Sequence, residues 1–289
     1  MKNHHIGLRK NIKLSPETFR ELRDFIYEKS GIFFSEGKLY LLEGRLNRRI
    51  QKLELESFEE YVAYLKRGMN QKEELTMIFN LVTINETYFF RFERQLKVFS
   101  EKLFPVMVKT RREQGRQKIR IWSAGCSTGE EVYTLAIMIR ENMNGSLGGM
   151  KIDLLGTDIS HNVLEKAKKG LFTKNSFRGS MPSHYKAKYF VNNSTHAEIK
   201  DDLKRNVEFQ YLNLKDVHKI RLIGSVDFIF CRNVLIYFDE MMKKRVIRSF
   251  YDTLNHGGYL FLGEAESLHG ISSAFKVEHF PGTFLYKKE

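Results

Sequence analysis

Gly125-Cys126-Ser127-Thr128-Gly129-Glu130-Glu131 gathers two glycines, three small side chains and two acids into seven residues. Such a segment lets bare backbone approach a nucleotide-like ligand. Asp158 ends a later apolar run, Ile152-Asp153-Leu154-Leu155-Gly156-Thr157, at the place where a sheet-bound cofactor offers its ribose hydroxyls. The spacing also discriminates among cofactors. A dinucleotide fold needs G-x-G-x-x-G and a phosphate loop needs G-K-[ST], and neither is present here. A helix opening on Glu130 and Glu131 repels phosphate and suits a cationic amino group. S-adenosylmethionine, with a ribose, an adenine, an ammonium and a sulfonium, meets these demands. The same residues also read as a tight turn at Gly125 and Gly129 before an acid-capped helix, and the stretch alone leaves both readings standing.

The elements that must position these groups follow from periodicity. Lys118 to Trp122 alternates polar and branched residues and predicts a strand, while Tyr133, Leu135, Ala136 and Ile139 suit the buried side of a helix. Further strands are expected at 207–211, 226–231, 259–262 and 283–286, with a helix from Glu240 to Leu254. Strands alternating with helices imply a mostly parallel sheet covered on both faces, with ligands at the strand C-termini. Gly125 to Glu130, Asp158, Asn213-Leu214 and Arg232-Asn233 all fall at such ends. Between Phe172 and Leu203 the helical period fades, which predicts a small β-rich insertion.

Residues up to about Arg91 read as all-helical. Ser15-Pro16-Glu17 starts a helix and Ser30-Gly31 stops it. In the second helix Leu39, Leu42, Leu46, Ile50 and Leu53 make an apolar stripe, and Arg45, Arg48, Arg49 and Lys52 make a basic one. Ser57 to Glu60 fits a capping box, and Gln71 to Leu81 predicts a fourth helix. A helix from about Arg94 to Arg112, kinked at Pro105, is expected to link this bundle to the α/β part.

The 289 residues allow one large domain or two ordinary ones, and 42% hydrophobic content supports a real core. No apolar run is long enough to span a bilayer, and Met1 to His5 do not open a secretion leader, so a cytoplasmic protein is expected. Cys126 and Cys231 lack CxxC spacing and His184 and His196 lack ligand spacing, so no metal site is expected. A net charge of +13 points to a polyanionic partner without saying which.

Asn85-Glu86-Thr87-Tyr88-Phe89-Phe90-Arg91, Ser123 to Glu131, Gly156 to Ser160 and Ile229 to Phe238 together resemble the chemotaxis receptor glutamate O-methyltransferases (CheR) in type and order. The resemblance implies an α/β fold class: an N-terminal all-helical domain (1–91), a linker helix (92–114), and a Rossmann-like S-adenosylmethionine-dependent methyltransferase domain (115–289). The last would carry a small antiparallel β-subdomain at about 172–205. It further implies that Asn85, Thr87 and Arg91 approach the methionine end of the cofactor. Gly125 would belong to the loop beneath it, and Glu130, favoured over Glu131, would hold the amino group. Asp158 would hold the ribose and Asn213-Leu214 the adenine region, while Arg232, Asn233 and Tyr237 complete the pocket. Proline is common after the paired acids in that family, whereas Val132 stands here, inside the expected helix.

A glutamate carboxyl, with pKa about 4.3, is ionised at neutral pH, so its attack on a sulfonium methyl needs no general base. Arg91 is expected to orient that carboxylate by a guanidinium fork and Tyr237 to line the methyl site. Arg45, Arg48, Arg49 and Lys52 would dock the acidic helical bundle of a chemoreceptor, or be only a solvated helix face. The product would be S-adenosylhomocysteine, and the protein would act as a monomer without nucleic acid or membrane insertion. The rival reading, a nucleic-acid methyltransferase, shares the fold and the charge, but the chain has no Pro-Pro-Tyr/Phe segment and no cysteine after a proline. A non-catalytic binding module would dispense with Arg91, Glu130, Asp158 and Asn233.

Overall fold

The computed structural model describes residues 11–67, 71–142 and 149–289. Met1 to His5, read above as no secretion leader, lie outside them. The chain divides between Thr83 and Ile84 into two compact units. Residues 84–91, expected with the helical domain, thus belong to the second.

The first unit comprises α1 (Pro16–Ser30), α2 (Leu39–Lys52), α3 (Phe58–Arg67) and α4 (Gln71–Val82). Ser15 Oγ accepts the Thr18 N–H, and Gly31 ends α1 in the left-handed conformation. At α3 the Glu60 N–H donates to Ser57 Oγ at 3.1 Å, but the Glu60 carboxylate takes the N–H of Glu56, one residue before the expected capping-box partner. Leu42, Leu46 and Ile50 are fully buried.

The basic stripe of α2 is divided. Arg48 and Lys52 are exposed, whereas the Arg49 Nε donates to the buried carboxylate of Glu74 at 3.0 Å. Tyr61 Oη donates to that same carboxylate at 2.7 Å, and Arg45 donates to the Val82 carbonyl. Arg45 and Arg49, expected with the docking ridge, therefore tie α2 to α4, and Tyr61 joins α3 to the same acid. A helical period cannot distinguish a cation facing water from one facing a buried acid on a neighbouring helix.

The second unit begins with α5 (Glu93–Lys97), a π-helical stretch (Val98–Leu103) and α6 (Phe104–Glu113). Pro105 sits in the first turn of α6, and the widened π turns before it accommodate the missing N–H and the ring. This segment, expected as a linker, is part of the core: Phe99 stands edge-on to Phe228 and Phe230 at 5.2 and 5.3 Å. There follow β1 (Lys118–Ala124), α7 (Glu130–Asn142), β2 (Lys151–Asp158), α8 (His161–Lys169) and β3 (Leu171–Phe172). Next come α9 (Ser183–Tyr189), β4 (Phe190–Asn192), β5 (Ala197–Ile199), α10 (Asp201–Lys204), β6 (Val207–Tyr211) and α11 (Val217–Leu222). The chain closes with β7 (Val226–Cys231), α12 (Glu240–Thr253), β8 (Leu254–Leu262), β9 (Lys276–Phe280) and β10 (Thr283–Lys287).

The main sheet has the order β6-β2-β1-β7-β8-β10-β9. Its first five strands are parallel, and β10 is antiparallel to both neighbours. Phe99, Ile119, Ile121, Leu135, Phe228 and Phe230 share one apolar face, and Trp122 packs edge-on against Phe250 of α12 at 5.2 Å. The strand order reverses between β1 and β7, so the loops leaving these two strands diverge and open a crevice at their C-terminal ends. The expected insertion is a second sheet, β3-β5-β4, antiparallel throughout. It also carries α9, a two-turn helix too short to show a period. Strand β9 was not foreseen, because as an edge strand it buries few side chains. Among the described residues no helix is long and apolar enough to cross a membrane.

Candidate active site

The crevice is built first from backbone. Gly125 and Cys126 donate their N–H groups to the Thr157 carbonyl at 2.8 and 2.9 Å, fastening the loop after β1 to the end of β2. Gly125 has φ +83°, and a Cβ there would collide with the Val234 side chain, so both conformation and space require glycine. Leu212 donates to the Asp158 carbonyl at 3.0 Å, which brings Asn213 and the buried Leu214 beside the end of β2. The Asp158 carboxylate accepts the Ser127 and Ser160 N–H groups, each at 2.9 Å. Burial pushes its pKa up and these N–H groups partly offset the rise.

The two acids that open α7 face different ways. Glu130, 2% exposed, accepts the hydroxyls of Thr128 at 2.6 Å and Ser176 at 2.8 Å. Its pKa is pushed up by burial. Glu131 reaches across the reversal point: it accepts Ser123 Oγ of β1 at 2.6 Å and pairs with Arg232 after β7 at 2.5 Å. The favoured Glu130 is thus enclosed by hydroxyls, and Glu131 bridges the ends of β1 and β7.

Glu130 takes part in a chain of contacts that orders residues 85–91. Ser176, bound to Glu130, accepts the Phe89 N–H at its carbonyl at 2.8 Å. The Phe90 N–H donates to Thr134 Oγ1 at 3.2 Å. The Phe89 ring enters the insertion, 4.8 Å from Phe172, 5.1 Å from Phe177 and 5.2 Å from Phe190. Arg178 lies over the Tyr88 ring and pairs with Glu86 at 2.6 Å. So held, Phe90 and Phe92 both take positive φ, 59° and 62°, a conformation that costs aromatic residues about 1–3 kcal/mol each.

Arg91 stands between these strained residues. Its guanidinium lies 5.5 Å from the Tyr88 ring centre and 5.0 Å from that of Phe92, and one nitrogen donates to the Glu86 carbonyl at 3.1 Å. Its Nε is buried without a hydrogen-bond partner. Arg232 donates to the Arg91 carbonyl at 2.8 Å, and Asn233, at φ 63°, has a buried Oδ1 that is also unpartnered. A buried donor and a buried acceptor left open beside one crevice fit a ligand carrying both kinds of group. Asn85 accepts Ser127 Oγ at its carbonyl at 3.1 Å, and the Tyr237 hydroxyl donates to the Ile84 carbonyl at 3.2 Å. Thr87 is half-buried in the same segment. The sites at 85–91, 125–131, 158, 213–214 and 232–237 therefore all fall within the second unit, whereas Arg45, Arg48, Arg49 and Lys52 are in the first.

Sequence reasoning missed Glu266, which is buried and bonded to the turn after β7. Asking which polar residues follow the predicted strand 259–262 would have found it. Ser176 and Thr134 left no signal, since hydroxyls are common in loops and helices alike.

The family models for "CheR methyltransferase, all-alpha domain" and "CheR methyltransferase, SAM binding domain" match residues 17–83 and 85–283. Their junction coincides with the division between the two units. Chemotaxis protein methyltransferase 2 of Vibrio cholerae serotype O1 is 38% identical over 96% of this chain and 94% of its own length. The chemotaxis protein methyltransferase of Borreliella burgdorferi is 34% identical over 90% and 91%, and that of Salmonella typhimurium is 30% identical over 94% and 91%. With both family models in order and relatives aligned along nearly all of its length, this chain belongs to the CheR methyltransferase family, whose α/β domain binds S-adenosylmethionine.

Proposed function

We propose that the chain methylates glutamate side chains of chemoreceptors with S-adenosylmethionine, giving glutamate methyl esters and S-adenosylhomocysteine, as part of sensory adaptation. The observation that carries this reading is the open Nε of Arg91 beside the Glu131–Arg232 pair. It sets a carboxylate-orienting cation next to an acid suited to an ammonium. When bound, S-adenosylmethionine supplies a methyl group on a cationic sulfur. Glu131 would hold the amino group, Asp158 the ribose hydroxyls, and Asn213-Leu214 the adenine region. Gly125 gives the backbone close approach, and Asn85, Thr87 and Asn233 border the amino-acid end. Arg91 holds and aims the incoming carboxylate, and Tyr237 lines the methyl site. Alignment and exclusion of water then do most of the work, since no proton has to be moved.

The assignment of the two acids has a direct check. Glu131→Gln removes a charge from the crevice and leaves Arg232 unpaired, so affinity for S-adenosylhomocysteine should fall about ten- to a hundred-fold. Glu130→Gln can still accept from one hydroxyl and donate to the other, and its affinity should stay within about two-fold of wild type. Calorimetric titration of both variants separates the roles, and the reverse pattern would return the ammonium to Glu130.

The exposed pair Arg48 and Lys52 is proposed as part of the receptor-docking surface. Reversing both charges should raise KM for receptor several-fold at low salt while cofactor affinity is unchanged. Unchanged KM would leave them a solvated face.

The deciding experiment offers labelled S-adenosylmethionine to a chemoreceptor cytoplasmic fragment, with tRNA and duplex DNA as parallel acceptors, followed by mild alkali. Label on the receptor that alkali releases as methanol supports the reading. Label on nucleic acid alone overturns it.

A further inference from the structure

The loop after β8, Gly263-Glu264-Ala265-Glu266, lies at the same C-terminal edge of the sheet as the crevice. Glu266 is 6% exposed and, among the described residues, has no ion-pair partner. Its carboxylate is satisfied instead by backbone. Oε2 accepts the N–H groups of Asn233 and Gly263, each at 2.7 Å, and Oε1 accepts the Ile236 N–H at 3.3 Å. A Cβ at position 263 would stand 2.8 Å from Oε2 and 2.9 Å from the Asn233 nitrogen. Only glycine therefore lets the two loops close on the carboxylate.

The clasp acts on a turn that does not hold itself. Asn233 is in the left-handed region, uncommon for a residue with a side chain. Its neighbour Arg232 carries both the pair with Glu131 and the bond to the Arg91 carbonyl. A buried carboxylate pays for desolvation unless donors converge on it. Here three do, and two of them come from the turn that bears Asn233.

We infer that Glu266 is a positioning residue for methyl transfer. Its carboxylate binds the turn after β7 to the loop after β8, and thereby fixes the open Asn233 Oδ1 and the Arg232–Glu131 pair at the cofactor's amino-acid end. This rests on the placement of Asn233 and Arg232 in the cofactor site proposed above.

Glutamine has a single carbonyl oxygen, so Glu266→Gln can keep the bonds from Asn233 and Gly263 but turns an amide N–H toward that of Ile236. The test compares the full-length wild type, Glu266→Gln, Asn233→Ala and the double variant. It measures S-adenosylhomocysteine affinity, kcat and KM for methyl transfer, and thermal unfolding. Glu266→Gln is expected to weaken S-adenosylhomocysteine about three- to ten-fold and to lower kcat/KM about ten-fold, with the far-ultraviolet circular dichroism unchanged. In the Asn233→Ala background the same change should cost less than about two-fold, because the group it positions is gone. Wild-type binding and turnover in Glu266→Gln would overturn the inference, as would losses that multiply fully with those of Asn233→Ala. Unchanged affinity and turnover in Asn233→Ala would remove the site assignment first and the inference with it. If Glu266→Ala, which loses all three bonds, does not fold, Glu266→Gln still decides the matter.

Discussion

Arg91→Lys is expected to lower kcat/KM for receptor methylation about 10²–10³-fold, with S-adenosylhomocysteine affinity changed by less than about ten-fold. The guanidinium is flanked by the Tyr88 and Phe92 rings, which fix its plane, and its Nε is buried and open. A carboxylate held by two charge-assisted hydrogen bonds gains about 1.5–3 kcal/mol from each. An ammonium on a flexible stem makes neither the fork nor the ring stacking. Since the lost contacts are to the carboxylate rather than to the cofactor, the effect should lie in receptor kinetics. Steady-state rates with receptor fragment, beside calorimetry with S-adenosylhomocysteine, give both numbers. An equal loss in the two would place Arg91 on the cofactor alone.

At the other end of the sheet, Asp227→Ala should destabilise the protein by about 3–5 kcal/mol, the cost of leaving a buried charge without its partner. Asp227 accepts Arg111 Nε at 2.7 Å, the Arg120 N–H at 2.9 Å and Asn255 Nδ2 at 2.9 Å. Both side chains of the ion pair are under 5% exposed. Removing the acid strands the Arg111 guanidinium beneath β7 and frees two donors. For a unit of this size each kcal/mol moves the midpoint by about 2–4 °C, so Tm should fall by about 6–20 °C. The molecules still folded should bind S-adenosylhomocysteine normally, because Asp227 is at the start of β7 and the crevice lies beyond its end. A shift under 2 °C in differential scanning calorimetry would show that water replaces the pair.

Strands and their ends were legible in the chain because their signals are local. The runs 207–211 and 226–231 were placed to the residue. Each is bounded by turn residues, and the second is buried along its whole length and apolar apart from Asp227, as cover on both faces demands. Position in the fold was less legible. Residues 84–91 follow four helices in sequence, yet they belong to the α/β unit, because the Phe89 and Phe90 rings find Phe190 and Tyr185 in an insertion far along the chain. The helix from 93 to 113 reads as a connector for the same reason: its apolar period tells that one side is buried, but not against what.

The chemistry divides along the same line. Residue type and spacing were enough to mark the glycine loop, the acid closing β2 and the polar residues after β6 and β7, since a parallel sheet presents its strand ends on one edge. Which partners Glu130 and Glu131 each take depends on where Ser123, Ser176 and Arg232 stand in space. Which cations of the α2 stripe are free depends on Glu74 of another helix. Glu266 became visible only when the loop after β8 folded back onto Asn233. Periodicity records how far a side chain is from water, whereas the identity of its partner is set by contacts between distant segments, which only the packed chain supplies.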